Sequence, residues 1–394
     1  MIAPERLRFV QQEGFVRAYF LRIFYFDIQG EELERIASYH VKDDQLSFRT
    51  EKPERAQRKL RLLIEKGMST LTNSLTGRPA YHITEDSGIS LIGTPYFGLI
   101  DRDSSIIELR PITGCNLDCI YCSVAEGSQK GCDYVVDEHY MAEEFCRLAK
   151  IKYCKVEAHI NPQGEPLLYA PLDELIRDIR GCAHRISIDT NGMLLSKRRI
   201  DMLARVGLDQ LNLSVNAISD SLASRLAGCA YKAGQILELA CYAKLKMDVI
   251  IAPVLVPGYN EQEVEQMIPF CKKHGLRLCI QSYLKYRSGK KPAKPMSLDS
   301  FDRLLSGWEK KHKVKLLVDA SDFDVVSCKA LQRPFRKGDT LKADIVLPGR
   351  HKNEAIAVSG ERSIVVSGCS ISAQMPRIRI TRTKHNIFFA NRIN

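Results

Sequence analysis

The chain has 394 residues, of which 45% are hydrophobic and 27% charged, with a mean hydropathy of −0.19. That length suits two or three domains with sizeable cores. No stretch reaches the roughly 18 to 20 uninterrupted apolar residues of a membrane span, and the N-terminus lacks the apolar segment of a signal peptide. We therefore expect a cytoplasmic protein.

The net charge of +11 is concentrated towards the C-terminus. Residues 333–394 hold 12 Lys and Arg against 4 Asp and Glu, whereas the other 332 residues hold 46 against 43. This asymmetry favours a polyanion such as nucleic acid as a partner of the C-terminal region. A basic surface that serves only solubility would have the same composition.

The 13 cysteines are scattered, which is not the pattern of a secreted disulfide scaffold. Cys146, Cys241 and Cys271 fall in apolar helical patterns typical of small core residues. Cys132 and Cys328 are candidate extra thiols for chemistry, although a core or linker role suits them better.

Three regions follow one another along the chain. Residues 1–103 mix helical and strand patterns, with a helix predicted to end at Gly67. From 104 to 320, β-rich runs alternate with amphipathic helical runs, which predicts a parallel α/β sheet or barrel with its site at the carboxyl ends of the strands. After a linker at 321–334, short alternating strands over 335–394 predict a small all-β barrel. The six β-rich runs of the middle region are SIIELRP, CKVEAHI, HRISIDT, LDQLNLSV, MDVIIAPVLVP and LRLCIQSYL.

Three cysteines directly follow the first of these runs, in RPITGCNLDCIYCSVAEG. Cys115, Cys119 and Cys122 have the spacing C-x3-C-x2-C. Zinc usually takes four N or S ligands, often as two separated pairs, and the chain has no second C-x2-C. A [4Fe–4S] cluster held by three cysteines fits better, since one iron stays free for a small molecule.

The triplet resembles the radical S-adenosylmethionine (radical SAM) superfamily, and the resemblance covers roughly residues 104 to 290. It implies a partial (β/α)6 barrel in which Cys115, Cys119 and Cys122 bind the cluster and S-adenosylmethionine takes the fourth iron. One electron from the cluster would then cleave a carbon–sulfur bond and give a 5′-deoxyadenosyl radical. An electron donor such as a ferredoxin or flavodoxin is implied as a partner.

The resemblance also implies a set of cofactor-binding residues. Gly164 and Glu165, in NPQGEP after the second run, match the Gly-Glu-Pro motif and would meet the amino group of S-adenosylmethionine. Tyr121 would lie by the adenine, which Val254 would flank. Polar residues near the ends of the third and fourth runs would hold the ribose or the carboxylate; these are Asp189, Asn191, Asn212, Ser214 and Asn216. Strand polar groups that face solvent would give the same pattern.

Two basic segments are candidates for RNA binding. The first, LKYRSGKKPAKP, follows the sixth run and should lie on the face that holds the cluster. The second is the C-terminal region, which resembles the TRAM domain, a small β-barrel found in tRNA-modifying enzymes. Cations beside aromatic residues are typical of RNA contacts, and the candidates are Lys285, Arg287, Lys290, Lys291, Arg350, His351, Lys352, Arg382, Lys384, His385 and Phe388.

Taken together, the residues and the two resemblances predict a radical SAM enzyme that modifies a nucleotide in RNA, with tRNA as the first candidate. The fold expected is the partial (β/α)6 barrel with an N-terminal α+β extension and a C-terminal OB- or TRAM-like barrel. A radical SAM enzyme for a protein or small metabolite, with the basic region as a tether, stays open. So does an RNA-binding protein with a structural metal.

Overall fold

The structure is a computed structural model that describes residues 4–124, 131–286 and 289–393. Its N-terminal region contains a four-stranded antiparallel sheet in the order β1-β2-β3-β6, on which helix α2 packs through Leu60 and Ile64. The elements are β1 (Leu7–Gln11), β2 (Phe15–Phe20), β3 (Phe24–Gln29), α1 (Gly30–Glu34), β4 (Ser38–Lys42), β5 (Gln45–Arg49), α2 (Pro53–Met68), β6 (Thr72–Asn73) and β7 (Ala80–Ile83).

Helix α2 is present where the sequence predicts it, but Gly67 is not its terminating residue. The helix continues to Met68, and the residue that follows it has a right-handed helical conformation. Gly67 is buried against Phe26, whose ring atoms would collide with any Cβ at this position. The glycine therefore permits close packing of the helix on the sheet.

The middle region is built on a seven-stranded sheet in the order β16-β14-β13-β12-β11-β9-β8. All neighbours are parallel except β8, which pairs antiparallel with β9. The elements are β8 (Gly98–Asp101), β9 (Ile106–Arg110), β10 (Asp133–Val136), α3 (Glu138–Lys152), β11 (Glu157–Ile160), α4 (Leu172–Ile179), β12 (Arg185–Thr190), α5 (Lys197–Val206), β13 (Gln210–Leu213), α6 (Asp220–Ala227), α7 (Ala233–Ala243), β14 (Asp248–Ile251), β15 (Val254–Leu255), α8 (Glu261–His274), β16 (Arg277–Leu278), β17 (Gln281–Ser282) and α9 (Leu298–His312).

The six parallel strands fall within the six β-rich runs of the sequence, in the same order along the sheet. Strand β8 precedes the predicted boundary at residue 103 and yet belongs to this sheet. Among the helices of the described ranges, none has the length and apolar character needed to cross a membrane.

The C-terminal region forms a separate sheet of six strands in the order β18-β22-β23-β21-β20-β19. Its strands are β18 (Thr340–Lys342), β19 (Asp344–Pro348), β20 (Glu354–Ser359), β21 (Arg362–Ser367), β22 (Arg377–Arg382) and β23 (Phe389–Arg392). All pairings are antiparallel except that of β21 with β23. The sheet encloses an apolar cluster of its own, so the predicted all-β unit is present.

This all-β unit packs tightly on the segment that leads into β8. The amide of Ser363 donates to the carbonyl of Ile92, and the amide of Phe388 donates to the carbonyl of Gly93 (2.9 and 2.8 Å). Gly93 has φ +137°, and a Cβ there would collide with the backbone of Ser363. Only glycine allows this approach, so the contact is built into the chain.

One buried carboxylate, Asp133, joins all three regions. It is fully buried beside Gly114, the residue before Cys115. Its partners are Asn73 (2.9 Å), Thr76 (2.6 Å) and Arg78 (3.6 Å) from the N-terminal region, Thr113 (3.0 Å) from the barrel, and Arg350 (3.4 Å) from the C-terminal sheet. A buried charge needs several donors to offset its desolvation, and here the donors come from distant parts of the sequence.

Two disulfides depart from the expectation of scattered thiols. Cys146 is bonded to Cys182, and Cys154 is bonded to Cys328, with Cα–Cα distances of 5.4 and 6.3 Å. The first joins α3 to the turn after α4, so Cys146 is not a simple core residue. The second ties the linker before the C-terminal sheet to the turn after α3. Neither pairing can be read from the spacing of the cysteines.

Candidate active site

A cavity of 930 Å³ lies at the carboxyl ends of the parallel strands, and Cys115, Cys119 and Cys122 line it. Their loop follows β9 and is anchored to the end of α6, because the amides of Asp118 and Ile120 donate to carbonyls of that helix (3.0 and 2.9 Å). The structure therefore brings the predicted triplet into one cavity.

The donor set of this loop suits a cluster better than one metal ion. In the described part of the chain, no group of three His, Cys, Asp or Glu side chains converges closely enough for a single ion. A cube bound at three different irons does not need such convergence, whereas zinc does. Burial raises the pKa of the Cys115 and Cys119 thiols, so a cationic partner such as iron is needed to hold them as thiolates.

Gly164 and Glu165 lie beside the triplet because a β-bridge joins Gly164 to Gly114. The Glu165 amide donates to the carbonyl of Gly114 (3.0 Å), and a Cβ on Gly164 would collide with that carbonyl. The glycine of the motif is therefore required by backbone contact with the cysteine loop.

The carboxylate of Glu165 is buried at the wall of the cavity. Burial raises its pKa to about 7, although its hydrogen bonds act in the opposite direction. Its donors are the hydroxyl of Thr190 (2.6 Å) and the amides of Asn191 (2.9 Å) and Leu167 (3.0 Å). These bonds orient the carboxylate, and an ammonium group would restore its full charge.

Most of the remaining predicted cofactor residues line the same cavity: Tyr121, Asn191, Ser214, Asn216 and Val254. The side-chain amide of Asn216 donates through Nδ2 to the Tyr121 hydroxyl (2.5 Å) and accepts at Oδ1 from the backbone amide of Val254 (2.7 Å). The side-chain Nδ2 of Asn191 lies 3.8 Å from the sulfur of Cys115. These contacts couple the strand ends to the cysteine loop.

Asn212 is the exception among the predicted cofactor residues. Its side chain is not part of the cavity wall as the structure describes it, and it donates instead to the carboxylate of Asp189 (2.7 Å). Asn212 therefore orients the Asp189 carboxylate from the neighbouring strand. Tyr231, which sequence reasoning missed, lines the cavity and donates to the carbonyl of Asn191 (2.7 Å).

Several charged side chains at the base of the cavity were also missed, although Asp189 among them was a candidate from the third run. Arg102, Arg110, His159 and Asp189 line the cavity, and Glu108 accepts from both arginines (2.6 and 3.0 Å). The alternation in IIELR and EAHI could have revealed this inward polar face, because alternate residues of a strand share a face.

The basic segment after β17 packs over the cysteine loop. Lys285 and Lys291 are exposed, whereas Lys290 pairs with Asp118 (2.5 Å) and its amide donates to the Cys122 carbonyl (3.1 Å). Lys290 thus braces the loop. Tyr286 is exposed by 49% and lines the cavity, a feature that the sequence prediction overlooked. The candidate Arg287 lies outside the described residues.

The structure corrects two of the RNA-binding candidates in the C-terminal sheet. Arg350 is buried, and besides its pairing with Asp133 it lies 3.5 Å from the Gln163 side-chain oxygen. Phe388 is fully buried in the core of the sheet, where it packs against Phe335. Because neither side chain reaches the surface, neither is positioned to bind RNA.

The other candidates of this sheet lie in two separate places. His351 and Lys352 are exposed after Arg350, and the His351 ring packs against Tyr96. Arg382 and Lys384 are exposed near His385, which is half-buried and lies 3.7 Å from Asp103. A single continuous RNA surface over all of these residues is therefore not what the fold provides.

The two candidate extra thiols are both outside the cavity. Cys132 is buried against the C-terminal sheet, with its sulfur 3.4 Å from the carbonyl of Pro348. Cys328 is engaged in the disulfide with Cys154. In this state neither thiol is placed to take part in chemistry at the cysteine triplet.

The parallel sheet, the triplet and the Gly-Glu-Pro turn define a radical SAM domain. The family model described as the Radical SAM superfamily matches residues 109–271. The cofactors are accordingly a [4Fe–4S] cluster and S-adenosylmethionine, and the cavity residues described above fit both.

Within that superfamily, the chain belongs to the same family as an uncharacterized protein of Methanocaldococcus jannaschii. The two are 34% identical over 359 residues, which is 82% of each chain. A GTP 3′,8-cyclase of Staphylococcus aureus is 33% identical over 177 residues, or 43% of this chain and 51% of the cyclase. The chain thus spans about half of that relative's length.

Solved structures overlap with this chain only in part. TYW1 with a lysine-pyruvate adduct bound has a TM-score of 0.42 and 20% identity, and the overlap covers 57% of this chain and 80% of TYW1. Streptococcus suis SuiB bound to S-adenosylmethionine has a TM-score of 0.42 and 17% identity, and the overlap covers 79% of this chain and 71% of SuiB. Scores this low support no inference about substrate.

Proposed function

We propose that this radical SAM enzyme modifies a nucleotide in RNA, with tRNA as the first RNA to test. The observation that carries the proposal is Tyr286, which is exposed and lines the cavity, together with exposed lysines on the same segment: Lys285, Lys291 and Lys294. Lysines can hold phosphates while a tyrosine ring stacks on a base.

The position of these residues strengthens the proposal. The segment that carries them is fixed to the cysteine loop by the Lys290–Asp118 pair and by the close approach of Gly289 to the Cys122 carbonyl. A phosphate bound there would lie next to the cluster site. Exposed Lys352 and His351 of the C-terminal sheet would add cationic and aromatic groups for RNA contact.

The chemistry divides between the cofactors and the chain. When bound and reduced, the cluster and S-adenosylmethionine supply a carbon-centred radical that removes a hydrogen atom which acids and bases cannot. The chain binds and orients: Glu165 would accept from the cofactor's amino group, and Asn216 with Tyr121 would hold its adenosine part. A base must leave its stack to enter the cavity.

A cytoplasmic location and a ferredoxin or flavodoxin as the electron donor belong to the same proposal. The C-terminal sheet would act as the RNA-recruiting unit, in the manner of a TRAM domain. This role now depends on Lys352, Arg382 and Lys384, since Arg350 and Phe388 are buried.

A free nucleotide is a second candidate substrate. The similarity to GTP 3′,8-cyclases over the barrel favours it, because the name of those relatives specifies a nucleotide. Under this alternative the exposed lysines would bind the phosphates of one nucleotide.

The deciding experiment compares the modified nucleosides of tRNA and rRNA from wild-type cells and from cells that lack the gene. We expect one modified nucleoside to disappear, and to return when the gene is restored but not when Cys119→Ala is supplied. An unchanged nucleoside profile would contradict the RNA proposal.

A further inference from the structure

The floor of the cavity consists of ionisable side chains that lie next to one another across three strands. In the register of the sheet, Glu108 on β9 is opposite His159 on β11, and His159 is opposite Ser187 on β12. Asp189 lies one inward-facing step nearer the carboxyl ends, opposite Asn212 on β13. The candidate cofactor residues Asn191, Ser214 and Asn216 come later in the chain than these register positions, so the floor is beneath them.

Hydrogen bonds and one ion pair link the groups of β11 and β12 into a network. His159 Nδ1 is 2.8 Å from the Ser187 hydroxyl, which in turn donates to Glu157 (2.5 Å). His159 Nε2 is 3.4 Å from a carboxylate oxygen of Asp189. The network joins inward-facing positions of β11 and β12. At such positions, parallel barrels more often carry branched apolar residues.

The charges of the floor balance. Three cations, Arg102, Arg110 and His159, stand against three carboxylates, Glu108, Glu157 and Asp189. Burial opposes the charge on His159, but Asp189, Glu157 and Glu108 raise its pKa to about 9. Burial likewise opposes the charge on Asp189, yet His159 and Asn212 lower its pKa. Both members of the pair are therefore ionised at neutral pH.

These paired charges contribute little to the stability of the fold, so a role in ligand binding is the better explanation for them. Buried ion pairs are often no more stabilising than apolar residues of the same size. The side chains of Arg102, Asp189 and His159 remain 36%, 30% and 19% exposed, and all three line the cavity. A ligand in the cavity would therefore meet the N–H donors of Arg102 and His159 beside the carboxylate acceptor of Asp189.

We propose that Asp189 and His159, with Arg102 beside them, bind the base of the substrate nucleotide, while its phosphates remain at the mouth with Lys285 and Lys291. A floor without net charge offers little to a phosphate, but its carboxylate can accept from a ring or amino N–H of a base. Its cations can donate to a neighbouring carbonyl or ring nitrogen. This inference rests on the proposed function and refines the substrate class of that site.

The test uses the full chain with its cluster rebuilt under anaerobic conditions and with S-adenosylhomocysteine filling the cofactor site. Equilibrium dialysis measures binding of the four common nucleosides and of ribose 5-phosphate to wild type, Asp189→Asn and Asp248→Asn. Asp248 is the matched control, because it is an exposed aspartate at the start of β14 that pairs only with Lys244 among the described residues.

We expect at least one nucleoside to bind wild type more tightly than ribose 5-phosphate does. Asp189→Asn should weaken the binding of that nucleoside by about 10- to 100-fold, the loss typical of charge-assisted hydrogen bonds, and should change the order of affinity among the bases. Asp248→Asn should bind each nucleoside as tightly as wild type does. Iron content and melting temperature, measured in parallel, show whether each variant is folded; a second variant, His159→Gln, replaces Asp189→Asn if that one is not.

A parallel assay with tRNA separates this inference from the proposed function. Nucleoside binding that depends on Asp189, without any binding or modification of tRNA, would support the base site and contradict the RNA proposal. Modification of tRNA by Asp189→Asn at the wild-type rate, or tighter binding of ribose 5-phosphate than of every nucleoside, would overturn the base site.

Discussion

The two cation-rich regions of the chain look alike in sequence but have different roles in the fold. In the segment after β17, Lys285 and Lys291 are exposed beside the cavity. In the C-terminal sheet, Arg350 and Arg362 are buried and bonded to groups of the barrel or the linker. Part of the C-terminal charge thus holds the sheet in place, and composition alone overstates what remains to attract a polyanion.

Under the proposed function, the chemistry belongs to the cavity and the attachment of substrate to the exposed cations. The strongest way to break it is Cys119→Ala, which removes a thiol from the cluster loop. We expect iron content and 5′-deoxyadenosine formation to be lost together, because two thiols hold a cluster poorly. RNA affinity should stay close to that of wild type.

Iron analysis, cofactor cleavage and filter binding of tRNA would measure these three properties. Cys241→Ser is a suitable control, since this half-buried cysteine on α7 lies away from the cavity wall. Retention of a full cluster in Cys119→Ala would show that the triplet is not the metal site.

The buried and the exposed cations can be compared directly at two neighbouring positions. Arg350→Met should lower the free energy of unfolding by about 3 kcal/mol, because it leaves Asp133 short of a buried cationic partner. Lys352→Ala should leave the free energy of unfolding within about 0.5 kcal/mol of the wild-type value, as surface substitutions usually do. Chemical denaturation would measure both, and equal stabilities would contradict the structural role of Arg350.

The exposed cations themselves separate into two sets. The double change Lys285→Ala with Lys291→Ala should reduce tRNA affinity by about tenfold and the slope of its salt dependence by about 2, since each phosphate contact contributes about 1. Arg382→Ala with Lys384→Ala should have the same salt signature but a smaller effect on turnover, because neither residue lines the cavity. Identical turnover losses would remove the distinction between the sets.

The smallest expected effect concerns the charge on His159. Its pKa is raised from the ordinary 6.5 to about 9, so the pair with Asp189 contributes stability that is fully present below 6.5 and is lost as pH rises through 9. We expect the melting temperature of wild type to fall between pH 7 and 9.5 by more than that of His159→Gln. Parallel melting curves for the two proteins would refute an ionised His159.

Sequence reasoning located the six parallel strands and the cysteine loop because both are local patterns. The strands are short apolar runs between helical segments, and the triplet is a fixed spacing in eight residues. Gly164 and Glu165 followed from the resemblance of NPQGEP, after the second strand, to the Gly-Glu-Pro motif. These predictions needed no knowledge of which distant residues meet.

The features that sequence reasoning missed all depend on contacts between distant residues. Arg350 is 217 residues from its partner Asp133, and Cys154 is 174 residues from Cys328. Phe388 and Phe389 alternate, so one had to be buried, but only the packing of the sheet shows that it is Phe388. Alternation in IIELR and EAHI could have shown that the charges on the floor share a face, but not which of them pair.

The shared carboxylate Asp133 affects how this protein can be divided experimentally. Removing the C-terminal sheet would expose the carboxylate's pocket directly behind Gly114 and the cysteine loop, and would also uncover Cys132 and Tyr134, which contact Pro348. A truncated chain that lost activity could therefore have lost its metal centre rather than its grip on RNA. Point changes on the exposed surface are the cleaner route to separating recruitment from catalysis.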